Sequence, residues 1–284
     1  MAKAVIMAGG QGERFWPLTH AGFPKYRIRF YGKQSLLQKT FQRLKRVYGA
    51  GNIYVITTEQ HARMIRRELP SMARANVLIE PYRNNTAAAI YLTCALLEKK
   101  FGPREIVSFF PADHMIRDER LFKKTLEDAI RTAKKNDSLV TVGVVPSFPA
   151  TGYGYVETGR AMKGFAGSFH VKRFIEKPDL ARAKSYLRRK NFYWNGGMFT
   201  WRIEVFMAAM KKYSPVYART LDLSRLAQSY KKLPDISIDY ALMEKAKNIA
   251  LCRAKMDWCD VGSWDMYHEK SSADKSGCYS EGLT

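Results

Sequence analysis

The chain has 284 residues, and its 46% hydrophobic and 13% aromatic content can bury a sizeable core in one large α/β domain or two small ones. Charged residues make up an ordinary 26%, which argues against disorder, but 48 Lys and Arg against 26 Asp and Glu leave a net +22 that attracts polyanions. The four cysteines (Cys94, Cys252, Cys259 and Cys278) contain no C-x-x-C pair, no apolar run reaches the roughly 18–20 residues of a membrane span, and the first ten residues lack the pattern of a signal peptide. The expectation is a reduced, cytoplasmic protein with no zinc site, disulfide framework or membrane segment.

Val5-Ile6-Met7-Ala8 reads as a buried strand running into Gly9-Gly10. Apolar residues at helical spacing predict a helix from Ser35 to Val47, with Ser35 as its cap. Next come a strand at Ile53–Thr57, a helix from Glu59 to Leu69 stopped by Pro70, a strand at Val77–Ile79 and a helix from Thr86 to Lys100. The alternation continues with a strand at Ile106–Phe110, a helix from Arg120 to Lys134 and a strand at Leu139–Val144. The second half is less regular, with strands at Tyr153–Glu157, Val171–Ile175 and Met198–Trp201 and helices at Leu180–Arg189 and Ile203–Lys212. This order predicts an α/β fold: a Rossmann-like, mostly parallel mixed sheet with helices on both faces. Ligands then bind at the loops beyond the carboxyl ends of the strands, after Met7, Ile79, Phe110 and Val144.

After the first strand comes Gly9-Gly10-Gln11-Gly12-Glu13-Arg14-Phe15-Trp16-Pro17-Leu18-Thr19, followed by Pro24-Lys25. Glycines let a backbone approach a ligand and turn successive N–H groups toward an anion, and Arg14 and Lys25 add positive charge. A Walker loop is excluded because no Gly-Lys-Ser/Thr follows, and the dinucleotide fingerprint fails at Phe15. The extended pattern resembles the signature of sugar nucleotidyltransferases. Glu80-Pro81-Tyr82-Arg83-Asn84-Asn85-Thr86-Ala87-Ala88-Ala89 and Pro111-Ala112-Asp113-His114 are similar to segments of the mannose-1-phosphate guanylyltransferases. So are Thr151-Gly152-Tyr153-Gly154-Tyr155, Phe174-Ile175-Glu176-Lys177-Pro178 and Trp194-Asn195-Gly196-Gly197-Met198-Phe199. Ile238-Asp239-Tyr240-Ala241-Leu242-Met243-Glu244 and Trp258-Cys259-Asp260-Val261-Gly262-Ser263-Trp264 close the series. The resemblance runs from residue 4 to about 267. It departs at Asn84 (usually Arg), Ala88 (usually Pro), Gly196 and Cys259 (usually Ser), and in the residues after Lys25.

The resemblance implies transfer of GMP from GTP to mannose 1-phosphate, giving GDP-mannose and pyrophosphate, by in-line attack on the α-phosphorus. It implies Mg²⁺ held by Asp113 and Asp260, a cation that favours one or two carboxylates plus phosphate oxygens and water. Arg14 and Lys25 become the catalytic cations. Ala8, Gly9, Gly10, Gly12, Glu80, Asn85, Thr86 and Asp113 become the nucleotide site. Gly152, Gly154, Glu176, Lys177 and Asn195 become the sugar-phosphate site. Glu80, an acceptor-only carboxylate, can take both N1–H and the exocyclic amine of guanine, or else cap the turn before Pro81. His114 is expected to support structure, because an anionic nucleophile needs no base, and Trp194, Trp258 and Trp264 to pack beneath the site. Residues 1–267 are expected to form the catalytic domain and 268–284 a polar tail, without the β-helix or isomerase domain of many relatives. A homodimer is the oligomer that such relatives suggest.

Other readings stay open. A guanylyltransferase for another sugar 1-phosphate, such as a manno-heptose, fits the same motifs. A basic nucleic-acid-binding protein fits the +22, but the charge is spread over pairs such as Lys99-Lys100 and Lys211-Lys212 and no nucleic-acid motif occurs. A catalytically silent homologue is disfavoured by the presence of Arg14, Lys25, Asp113 and Asp260.

Overall fold

A strand buried on both faces must lie inside a sheet covered from both sides, and β1 (Lys3–Met7) does. It runs parallel to β2 (Ile53–Thr58) on one side and to β4 (Ile106–Pro111) on the other, with β3 (Val77–Glu80) outside β2. β9 (Phe192–Arg202) enters antiparallel between β4 and β6 (Leu139–Val144). Then β10 (Ile249–Ala254), β8 (Ser168–Ile175) and β7 (Tyr155–Ala161) complete nine strands in the order β3-β2-β1-β4-β9-β6-β10-β8-β7. The computed structural model describes residues 2–262 apart from Gln11, Glu13, Arg14, Ala21, Phe30 and Tyr31.

The helices divide between the two faces. α1 (Leu36–Tyr48), α2 (Glu59–Glu68), α4 (Glu119–Lys135) and α5 (Leu180–Leu187) bury Leu37, Phe41, Ile65, Leu126 and Tyr186 against one. α3 (Thr86–Phe101), α6 (Ile203–Tyr213) and α7 (Pro215–Thr220) bury Ile90, Phe206 and Tyr217 against the other, followed by the short α8 (Leu226–Tyr230). The expected mixed sheet with helices on both faces is therefore present: β3, β2, β1 and β4 run parallel to one another, and β10 pairs parallel with β6. Some elements differ from expectation in extent. β9 starts six residues before the expected Met198, because Gly196 and Gly197 hide its first half from a hydrophobicity pattern. The hairpin strands β7 and β8 are also displaced or longer than expected.

A second, minute sheet places the chemistry. β5 (Met115–Ile116) pairs antiparallel with β11 (Trp258–Cys259), Met115 opposite Cys259 and Ile116 opposite Trp258. Asp113 lies just before β5 and Asp260 just after β11, so antiparallel pairing brings the two aspartates to the same end of one ladder.

Ser35 caps α1 as expected: its side chain accepts from the Gln38 N–H at 3.2 Å while the Gln38 side chain accepts from the Ser35 N–H at 2.9 Å. Ser35→Ala should lower stability by about 1 kcal/mol, read as the shift in urea midpoint at unchanged m-value. A loss below a few tenths would show that tertiary contacts alone hold the helix end.

Candidate functional site

The described site residues form three groups, the first two beyond the carboxyl ends of β1, β3 and β4 and the third around β7, β8 and β9. The first lines a cleft of about 650 Å³ between the β1 and β3 loops, walled by Ala8, Gly9, Gly10, Glu80, Asn85 and Thr86. The Ala8 carbonyl accepts from the Thr57 hydroxyl at 2.6 Å, fixing where the glycine loop starts. Gly9 leaves room for the opposite wall: a Cβ there would stand 3.2 Å from Glu80 Oε1. Asn85 caps α3, its side chain accepting from the Thr86 N–H at 2.9 Å. The Thr86 hydroxyl oxygen accepts from the Ile238 N–H at 2.9 Å.

Glu80 belongs both to the wall and to the turn. Its Oε2 accepts from the Tyr230 hydroxyl at 2.6 Å, and the backbone N–H of Asn84 also donates to the carboxylate. Burial pushes Glu80 up to about 7, against the Tyr230 and Asn84 hydrogen bonds and the charge of Arg83. Asn84, the departure from the family's Arg, turns its amide to the carbonyls of Tyr230 (3.5 Å) and Leu233 (3.4 Å).

The second group surrounds Lys25. Its ammonium lies 2.8 Å from Asp113 Oδ2 and donates to the Asp260 carbonyl at 2.6 Å, bridging the two segments at one end of the β5–β11 ladder. The sequence requirement behind this clamp is Gly12. It has a φ of +72°, and a Cβ there would stand 2.5 Å from the Lys25 Cβ, so only glycine lets the two segments meet. Burial works to raise the Asp113 carboxyl, but the Lys25 and His114 contributions outweigh it and hold Asp113 below the usual range. The turn that carries Asp113 is pinned by α1, where Arg43 donates to the His114 carbonyl at 3.0 Å.

His114 is structural in its contacts. Trp258 Nε1 donates to its Nδ1 at 3.1 Å, the two rings meet edge to face, and burial pushes the imidazole down to about 4, so it is neutral at pH 7. Asp260 Oδ1 accepts from the Tyr153 hydroxyl at 2.7 Å. Cys259, where the family usually has Ser, accepts from the Val261 N–H through its sulfur at 3.2 Å, holding the turn in the hydroxyl's stead. Val261 has a φ of 47°, a conformation that β-branched residues avoid.

The third group lies where β7, β8 and β9 meet. Glu176 follows β8 and forms an ion pair with Lys177 at 3.0 Å, and Lys177 has a φ of 44°. Gly154 makes space for the carboxylate, since a Cβ there would stand 2.5 Å from Glu176 Oε2. Gly152 faces open space. Asn195 on β9 is engaged at both ends of its amide. Its oxygen accepts from Thr141 (3.0 Å) and the Gly197 N–H (3.2 Å), and its nitrogen donates to Asp239 at 3.0 Å. Burial and the nearby Glu176 carboxylate push Asp239 up to about 7.

Of the expected residues, Arg14 and Trp264 lie outside those described, as does the segment 263–284. Trp194 and Trp258 pack with Tyr153 and Phe148 as an aromatic group beside Asp260. Three residues in these groups had no role assigned from sequence: Tyr153, Tyr230 and Asp239. Asp239 was within reach, as one of two acids in Ile238-Asp239-Tyr240-Ala241-Leu242-Met243-Glu244, on a π-helical turn of the kind common at functional sites. Tyr230 had no local signal, because its partner lies at the end of a strand far away in the chain.

The family model for nucleotidyl transferases matches residues 3–277. Over 299 residues the chain is 36% identical to a mannose-1-phosphate guanylyltransferase of Salmonella montevideo, covering 99% of this chain and 62% of that one. It is 35% identical over 295 residues to a protein of the same name from Klebsiella pneumoniae, covering 98% and 61%. The chain thus spans about three fifths of the length of these relatives. A crystal structure described as mannose-1-phosphate geranyltransferase from Thermus thermophilus superposes with a TM-score of 0.85 at 30% identity, covering 93% of this chain and 77% of that one.

Because a neighbouring carboxylate helps raise Asp239, Glu176→Gln should lower its pKa, seen by carboxyl ¹³C NMR. A carboxyl raised in the folded state stabilises fully below its unfolded value and loses that contribution as pH rises through about 7, so the variant should lose less stability between pH 4 and 7. An unmoved Asp239 titration would separate the two acids.

Proposed function

The chain belongs to the nucleotidyl transferase family, and we propose that it transfers GMP from GTP to mannose 1-phosphate, forming GDP-mannose and releasing pyrophosphate. The observation that carries this reading is the convergence of Asp113, Asp260 and Lys25 beside a glycine-walled cleft. The named activity of the relatives at 35–36% identity supports the choice of substrates.

In this reading the triphosphate lies along Gly9, Gly10 and Gly12, with Glu80, Asn85 and Thr86 around the base. Glu176, Lys177, Asn195, Gly152 and Gly154 hold mannose 1-phosphate, and Asp239 joins them. A phosphate oxygen of the sugar phosphate attacks the α-phosphorus, a new P–O bond forms, and the bond to the β-phosphate oxygen breaks, so pyrophosphate leaves with the electron pair. The nucleophile is already an anion, which agrees with a neutral, hydrogen-bonded His114 taking no proton. Lys25 offsets phosphate charge while keeping the two aspartates together, and the same role falls to Arg14 by resemblance.

The residues present fit Mg²⁺. Asp113 and Asp260, two hard carboxylates from distant segments, flank one end of the β5–β11 ladder, and the bare Gly262 makes room for one of them, since a Cβ there would stand 2.8 Å from Asp260 Oδ2. When bound, the ion supplies charge neutralisation at the phosphates and orients them. We place the reaction in a reducing, cytoplasmic setting, in keeping with Cys94, Cys252 and Cys259 as buried free thiols. No described helix is long and apolar enough to cross a membrane. The +22 charge lies on exposed pairs such as Lys99-Lys100 and Lys211-Lys212, so we infer weak, salt-sensitive polyanion binding and no specific nucleic-acid partner.

Pyrophosphate release measured over a panel of nucleoside triphosphates and sugar 1-phosphates tests the reading. Turnover should be greatest with GTP and mannose 1-phosphate, and Asp113→Asn and Asp260→Asn should each lower it roughly 100-fold or more in folded protein. A preference for another sugar phosphate would move the assignment to that substrate. Near wild-type turnover in either variant at limiting Mg²⁺ would dismiss the two-aspartate site.

A further inference from the structure

We propose that Tyr230 is the positioning residue that fixes base selectivity in the cleft, by holding the Glu80 carboxylate in a single orientation with Oε1 at the glycine loop. The inference rests on reading the cleft as a GTP site, and it concerns a residue outside the cleft wall.

The geometry is one-sided. Tyr230 is fully buried, and its hydroxyl reaches Glu80 Oε2 at 2.6 Å. The other oxygen, Oε1, lies against Gly9, where a Cβ would stand 3.2 Å away. One oxygen is thus anchored toward the protein and the other presented where a ligand on the glycine loop would lie. Tyr230 is itself held in place. The Asn84 amide donates to the carbonyls of Tyr230 and Leu233, the Ala87 N–H to Ile236 at 3.3 Å, and the Ile238 N–H to Thr86 at 2.9 Å. The segment from Tyr230 to Ile238 is therefore laced to the loop that carries Glu80, Asn85 and Thr86.

Selectivity needs a carboxylate that is both ionised and immobile. Ionised, it accepts from guanine's adjacent N–H donors and repels the N1 acceptor of adenine; protonated, it can donate to adenine instead. The Tyr230 hydroxyl serves both needs. It fixes the rotamer, and it opposes the burial that otherwise favours the neutral acid. Arg83 lines the same cleft and favours the ionised form, while Asp235, also on the cleft wall, is the other acid there.

The test is Tyr230→Phe, which keeps the buried ring and removes one oxygen, assayed with GTP and ATP from pH 6 to 9. The expected result is a roughly tenfold fall in kcat/KM for GTP at pH 7, carried by KM, with a much smaller fall for ATP. The GTP deficit should shrink toward pH 9, where Glu80 ionises without help. The double variant with Glu80→Gln should be no worse than Glu80→Gln alone, because the tyrosine acts through that carboxylate. Equal losses for both nucleotides, a deficit independent of pH, or additive losses would overturn the proposal and leave Tyr230 a packing residue. Those failures appear only in the variants. A wild-type enzyme indifferent to the base would instead overturn the GTP reading itself, and this proposal with it.

Discussion

One lysine joins what the fold would otherwise leave as two separate loop ends. Lys25, from the segment after the glycine loop, forms an ion pair with Asp113 and donates to the backbone of Asp260, while the β5–β11 ladder sets those residues side by side. Remove the positive φ and missing side chain of Gly12 and the lysine cannot approach. Remove the ladder and the two acids come from unrelated parts of the sheet. The Asp113 carboxylate is held ionised by this partner against burial, and the partner is also the charge that a phosphate would meet in the proposed reaction. Tyr153 and His114 extend the same unit, one through Asp260 and the other through Trp258.

Two further acids, Glu80 and Asp239, are lifted to about 7 chiefly by burial, and a neutral side chain donates to each, Tyr230 to Glu80 and Asn195 to Asp239. They stand at either end of the segment from Tyr230 to Asp239, which borders both the cleft and the Glu176 group. Among the described residues, the two non-glycine positions with positive φ, Lys177 and Val261, adjoin Glu176 and Asp260. Such conformations cost energy and cluster at functional sites, and both of these lie beside a carboxylate of the candidate site.

Much of this was legible in the sequence. β1, β2, α3 and β6 are marked by continuous apolar stretches and α1 by helical spacing, and their bounds agree with expectation to within a residue or two. The glycine-loop and strand-end motifs located the cleft and the two aspartates. What stayed hidden has a physical reason. β5 and β11 are two residues each, too short for any alternation, yet they decide how Asp113 and Asp260 meet. Gly196 and Gly197 mask the start of β9, and a Cβ at Gly196 would stand 2.9 Å from the Val142 carbonyl, which accounts for glycine where the family has Ser. Asn195 reads as a sugar ligand from its motif, and no local pattern announces the bonds its amide also makes to Thr141, Gly197 and Asp239. Such pairings depend on register between distant strands, which no local pattern records.

The claim that Asp113 and Asp260 form one cation site is tested most directly by Mn²⁺ titration followed by electron paramagnetic resonance, with GTP present. The expected result is a single tight site in the wild type, lost in both Asp113→Asn and Asp260→Asn while their circular dichroism stays native. Undiminished Mn²⁺ binding in either folded variant would contradict it.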